Sequence, residues 1–183
     1  MGTALMIEAL DQLHRREHPN RIVGVATVME EVGAPGATTA VEAVQPDVAL
    51  VLESDIAGDA PGITPDQSAV KLGGGLSVLL YDTRMIPNGK LRDLALDTAA
   101  EMEIPVQVSL IEGGFTDGAP IHLHRTGVPS LVLAVPARHI HTPSAILHRD
   151  EYDQVLRLLV GLVQRLDEST VAGLTTDTPV EAL

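Results

Sequence analysis

Apolar residues recur at two spacings along the chain. Over residues 2–17, Leu5, Met6, Ala9, Leu10 and Leu13 fall on one stripe at helical spacing, which predicts an amphipathic helix. Elsewhere the apolar residues come in short unbroken runs: I-V-G-V-A-T-V-M at 22–29, D-V-A-L-V-L-E at 47–53, V-Q-V-S-L-I at 106–111 and S-L-V-L-A-V at 130–135. Runs of this length, rich in Val, Ile and Leu, predict strands buried on both faces. The last is expected to stop at Pro136, which has no N–H for a ladder. A fifth segment, V-K-L-G-G-G-L-S-V-L-L-Y-D at 70–82, is strand-like with a glycine break in its middle.

Helical patterns separate these runs. They cover 88–102, 117–126 and 149–168, the last with Val155, Leu156, Leu158, Leu159 and Leu162 as its apolar face. A short helix around 36–44 is open, while 33–37 and the Gly/Pro/Asp-rich 57–68 read as loops. Residues 169–183 read as a polar, partly loose tail. Strands alternating with helices predict an α/β sandwich with a mainly parallel sheet, whose functional residues gather in loops beyond the strand ends.

With 183 residues the chain is long enough for one well-packed domain. Its 12 Lys and Arg against 25 Asp and Glu give a net charge of −13, which argues against a nucleic-acid or anionic-membrane partner. Phe115, Tyr81 and Tyr152 are its only aromatic residues, so a base-stacking surface is not expected. There is no cysteine, which excludes disulfides, thiolate metal sites and a Cys nucleophile. The N-terminal residues carry acidic side chains without an apolar h-region, unlike a signal peptide, and no apolar run approaches membrane-spanning length. A cytoplasmic protein is expected.

Acidic residues or histidines follow each of the four clearest strand runs. Glu30 and Glu31 close the first, Glu53 the second and Asp117 the third, while His139 and His141 follow the fourth. Carboxylates and imidazoles converging on one sheet edge are the ligand set of a divalent ion such as Zn²⁺, with one carboxylate left as general base. Singly, Glu53, Asp55 or Asp59 fits a capping or loop role better than a catalytic one. Adjacent Glu30 and Glu31 after an apolar run need something positive nearby. His14, His18 and His148 read as solvated, and His122 and His124 as packing or functional alike. The run Gly73-Gly74-Gly75 lacks the Lys and Ser/Thr of a phosphate-binding loop.

The segment G-V-A-T-V-M-E-E-V-G-A-P-G-A at 24–37 resembles the signature of the glutamyl and tetrahedral aminopeptidases, co-catalytic dimetal exopeptidases. Supporting segments follow in that family's order at 46–62, 72–82, 113–121 and 127–142, so the resemblance covers about 2–172. It implies a three-layer α/β/α sandwich with a mainly parallel mixed sheet. It implies Glu30 as general base, and Glu31 and His141 as ligands of one metal. Glu53 would be a ligand of the other, with Thr116 and Asp117 lining the substrate site. Two divalent ions, Zn²⁺ or Co²⁺, would be the cofactors and a peptide the substrate. His139 stands where the family has Tyr, after Arg138.

The resemblance also implies what is absent. The family's His-x-Asp motif, its bridging Asp and its inserted dimerisation domain have no counterpart in these residues. Residues 1–168 then correspond to the C-terminal portion of a catalytic domain and 169–183 to a tail. Such a half is expected to be inactive alone, completed by a separate N-terminal half or by self-association. Two other readings stand beside it: a non-catalytic interaction module of the same fold, and a glycoside hydrolase using Glu30 and Glu53. The scarcity of aromatics counts against the last.

Overall fold

The computed structural model describes residues 1–64 and 66–175. Its elements are α1 (Gly2–His14), α2 (Pro35–Val44), β1 (Ala49–Ile56), β2 (Leu76–Tyr81), α3 (Gly89–Glu101), β3 (Val106–Leu110), α4 (Gly118–His122), β4 (Ser130–Arg138), β5 (Ile146–Leu147), α5 (Arg149–Arg165) and α6 (Glu168–Thr175). The sheet order is β1-β4-β2-β3, with β5 paired to the end of β4. β1 runs parallel to β4 and β2 parallel to β3, while β2 and β4 are antiparallel. The sheet is therefore mixed.

Each face of the sheet is covered, because the buried runs are apolar on both sides. On one face Leu131, Leu133 and Val135 of β4 pack with Leu5, Ala9 and Leu13 of α1, Leu91 of α3 and the predicted apolar stripe of α5. On the other face Val51, Leu79 and Val132 pack with Met85 and Ile121 beneath α2 and α4. The result is a three-layer α/β/α sandwich, with α1, α3 and α5 in one helical layer and α2 and α4 in the other.

Several of these expectations need correction. Residues 22–29 form no strand: Val23, Val25 and Val28 are exposed, Met29 takes φ 64°, and no strand pairs with them among the described residues. β4 does not stop at Pro136 but reaches Arg138. Ala49 N–H donates to Pro129 O and Ala57 N–H to Ala137 O, so the odd-numbered residues of β4 serve the β1 ladder. The nitrogen of Pro136 faces the other way, beyond Ala134, where β2 pairing ends. Only 76–81 of the segment 70–82 is strand, since Gly73 and Gly75 take φ of 84° and 109° before it. The helix over 117–126 shortens to 118–122, followed by left-handed Arg125 and Gly127. α5 ends at Arg165, and Asp167 then caps α6 by accepting Thr170 N–H at 2.7 Å. Of the residues read as a loose tail, 169–175 are helical, and 176–183 lie outside the described residues.

The glycine run also has a structural use. Glu151, 1% exposed at the start of α5, accepts hydrogen bonds from Gly73 N–H at 2.8 Å and Gly75 N–H at 3.1 Å. The anion held by this glycine loop is the protein's own carboxylate. Burial raises the Glu151 pKa, and the two N–H donors oppose that shift. Glu151→Ala strands both donors and is expected to destabilise the fold by about 1–3 kcal/mol, measured by urea unfolding.

Candidate functional site

Glu53 lies within β1, which continues to Ile56, and its side chain is on the α2/α4 side with Val51. Glu30 and Glu31 sit on a single 3-10 turn, Glu30–Val32, just after the 22–28 segment. That turn is flanked by non-glycine residues in the left-handed region, Met29 at φ 64° and Ala34 at φ 54°, with Gly33 at 107° between turn and helix. Backbone of this kind is strained and persists where its surroundings fix it. His141, itself at φ 61°, follows the end of β4 and places Nε2 3.0 Å from Glu31 Oε1. Both side chains are more than half exposed.

Asp117 begins α4, and one of its oxygens accepts a hydrogen bond from Thr27 Oγ1. The other oxygen, Oδ1, is buried without a partner among the described residues. Thr116 beside it is locked from below: its N–H and Oγ1 both donate to Asp82 Oδ2, at 3.1 and 3.0 Å. Asp82 is completely buried. Thr27 and Asp82 were not singled out by sequence reasoning. Both stand in the segments that carry the family resemblance, 24–37 and 72–82, but a lone Thr or Asp there has no spacing signal of its own.

The carboxylates converge closely enough to perturb one another. Burial is the main cause that pushes the Glu53 pKa up to about 7, aided by the negative charges of Glu30, Asp117 and Glu31 and opposed by the Ser54 N–H. Glu30 is raised by burial and by Glu31, Asp117 and Asp82, with His141 acting against them. Glu30, Glu31, Glu53 and Asp117 line one groove of about 440 Å³ between α1, α2, the 23–27 segment and β1.

Other acidic residues near the strand ends are structural. Asp55 is buried and accepts from Ile56 N–H and Ser77 Oγ. Asp59 takes a bidentate pair from Arg138, at 3.0 and 2.5 Å, which holds its carboxyl below the usual range. His148 caps α5 and His122 Nδ1 lies 3.1 Å from Gly118 O. His18 is partly exposed, as expected, but its Nδ1 is buried without a hydrogen-bond partner among the described residues.

Glu31 with His141 is a carboxylate and imidazole pair in contact, of the chemistry a divalent ion takes. Yet among the described residues no group of three His, Cys, Asp or Glu side chains is placed to hold an ion. Catalytic zinc has three protein ligands. These residues alone do not close such a site.

A sequence model of the M42 glutamyl aminopeptidase family matches residues 1–158. The chain belongs to that family. Among M42-like relatives, the FrvX protein of Escherichia coli strain K12 is 36% identical over 171 residues, covering 93% of this chain and 48% of that protein. The glutamyl aminopeptidase of Lactococcus lactis is 31% identical over 171 residues, covering 93% and 47%. In structure, the TET aminopeptidase of the archaeon Thaumarchaeota archaeon SCGC AB-539-E09 superposes with a TM-score of 0.91 at 44% identity, over 94% of this chain and 49% of that one. The chain spans about half the length of the curated relatives it matches. Among the described residues no helix is long and apolar enough to cross a membrane.

Proposed function

We propose that the chain carries the C-terminal portion of a metal-dependent aminopeptidase, which removes N-terminal residues from peptides, and that this portion is inactive or nearly so by itself. One observation carries the reading: Glu30, Glu31, Glu53 and Asp117 meet in a single groove, with His141 3.0 Å from Glu31. Glu30 would act as general base, and its raised pKa suits that role, because it weakens the carboxylate's hold on a negative charge and favours accepting a proton. Glu31 with His141, and Glu53 separately, would each contribute to holding one of two divalent ions, Zn²⁺ or Co²⁺. When bound, such ions supply Lewis-acid polarisation and an acidified water. Thr116, held by Asp82, and Asp117, held by Thr27, would line the substrate site. The remaining donors would come from outside these residues, in a separate half or a second copy. The setting we propose is the cytoplasm, with no nucleic-acid or membrane partner.

A non-catalytic interaction module of the same fold is the second reading, consistent with the described residues holding no three-donor group. A glycoside hydrolase has less support, since no aromatic residue lines the groove. Metal content and turnover of a panel of aminoacyl reporters, with Zn²⁺ or Co²⁺ added, test the proposal. The expected result is weak metal uptake and no turnover for the chain alone. Adding the missing half of a family member should bring about two ions and turnover. Absence of both in the assembled protein would leave the interaction module. Glu30-dependent turnover by the chain alone would mean that self-association completes the site.

A further inference from the structure

The turn that carries Glu30 is not held by the core. Glu30–Val32 contains no buried residue, and Met29 before it and Val32 within it are 63% and 69% exposed. Its own bonds are local: Val32 N–H donates to Met29 O, and the N–H groups of Gly33 and Ala34 both donate to Glu30 O. Met29, Gly33 and Ala34 all take positive φ. Backbone of that kind keeps one conformation only where contacts at its ends impose it.

Both ends are clamped. After the turn, Ala34 is completely buried at the start of α2. Gly36 N–H reaches back to Val28 O at 3.2 Å, so closely that a Cβ at Gly36 would lie 2.3 Å from that oxygen. Before the turn the clamp is a side chain. Thr27, three residues ahead of Glu30, donates from Oγ1 to Asp117 Oδ2 and so ties the turn to α4. The Asp117 end is well anchored. Asp117 is 6% exposed, and Gly118 and Ala119 after it are buried. Thr116 before it is bonded twice to Asp82, which also accepts Arg84 N–H at 2.8 Å.

A carboxylate gives this clamp a charge-assisted acceptor, about twice as strong as a neutral one. It is also an expensive group to place there. Asp117 Oδ1 is buried with no partner among the described residues, and its charge acts against those of Glu30 and Glu53. A neutral side chain would be buried at lower free energy. An unsatisfied buried oxygen of this kind asks for a reason.

We infer that Asp117 is a positioning residue for Glu30: through Thr27 it fixes the approach to the turn, and so the direction in which the Glu30 carboxylate enters the groove that all three residues line. The inference rests on the proposed function for the role of Glu30, and it gives Asp117 a task beyond lining the substrate site. With the clamp lost, residues 28–30 can relax, and a reacting group misplaced by about 1 Å loses on the order of 10²-fold in rate.

Variants of Thr27 test it, in the enzyme assembled with the missing half of a family member. Thr27→Val keeps the shape and removes the donor, so kcat should fall about 10–10²-fold while KM and ions per chain stay within about two-fold. Thr27→Ser restores the donor and should recover kcat to within about three-fold of wild type. Asp117→Ala should lower kcat as far as Thr27→Val does, and the two together no further, since both break one bond. On a Glu30→Gln background neither should matter, because the group they position is gone. Hydrogen exchange gives a readout without turnover. In the full chain alone, the Gly33 and Ala34 amides, whose acceptor is Glu30 O, should exchange at least about ten-fold faster in Thr27→Val, with Val51 unchanged. The inference is overturned if Thr27→Val keeps wild-type kcat, if Thr27→Ser is no better than Thr27→Val, or if the losses add to that of Glu30→Gln. A raised KM with kcat kept in Asp117→Ala also overturns it and leaves Asp117 as a lining residue. If the wild-type assembly gives no turnover, the aminopeptidase reading fails and the exchange decides: unchanged amides refute the positioning role, and faster ones keep it.

Discussion

Glu30→Gln is expected to lower turnover of N-terminal residue reporters by about 10²–10⁴-fold in the assembled enzyme, the range for loss of a general base. Gln keeps the size and hydrogen-bonding shape of the side chain but cannot take a proton. Metal content should be unchanged, because Glu30 is not one of the proposed ligands. Glu31→Gln should instead lose metal and activity together, since it removes half of the Glu31 and His141 pair. Measuring ions per chain alongside kcat separates the two roles. If Glu30→Gln retained wild-type kcat, the assignment of the base would be wrong, whatever else the groove does.

The second large effect concerns stability. Glu53 has its pKa raised from 4.5 to about 7 in the folded chain, chiefly by burial and then by Glu30, Asp117 and Glu31. Between those two values the folded state holds more protons at Glu53 than the unfolded state, so the stability this group contributes is fullest below about pH 4.5 and is lost as pH rises through about 7. The full change is on the order of 3 kcal/mol. Glu30 adds to the slope with the same sign. Urea unfolding in chelator from pH 5.5 to 8.5 should therefore show stability falling with pH. Glu53→Gln should flatten most of that fall and be the more stable chain at the alkaline end. An equal slope in both chains would mean that Glu53 is not held in the acid-favouring environment described. Excess divalent cation should also oppose the fall in the assembled enzyme, because a nearby positive charge favours the ionised carboxylate.

Much of this arrangement is legible in the residues. The stripe of Leu5, Ala9 and Leu13 and the face of α5 became buried helix surfaces, since burial on one side is what helical spacing encodes. Four of the five strand-like runs contain strands, though the glycines postpone β2 to Leu76. The run 22–29 is instructive because its composition reads as a strand and yet no strand pairs with it among the described residues. A strand is a relation between two segments, and the second is not among these residues. Pro136 is the opposite case. Its missing N–H rules out one ladder only, and sequence does not say which side it faces. At the site, the pairing of Glu31 with His141 comes from long-range topology, 110 residues of chain folded so that two loops meet, but the family signature anticipated it. The Thr27 and Asp82 contacts had no such guide.

The strand order has a consequence for how the molecule is made. β1 and β2 are consecutive in the chain but not neighbours in the sheet, because β4 lies between them. During synthesis the parallel β2–β3 pair can form early, while β1 has no partner among the described residues until Ser130–Arg138 has left the ribosome. The nascent chain therefore passes through a stage in which two separate pieces of sheet, each with an open edge, wait for one strand to join them. Long-range parallel pairing of this kind is slow, and its exposed edges invite association with other unfinished chains. Of the four strands β1–β4, the last to be translated is the one that joins the other three into a single body.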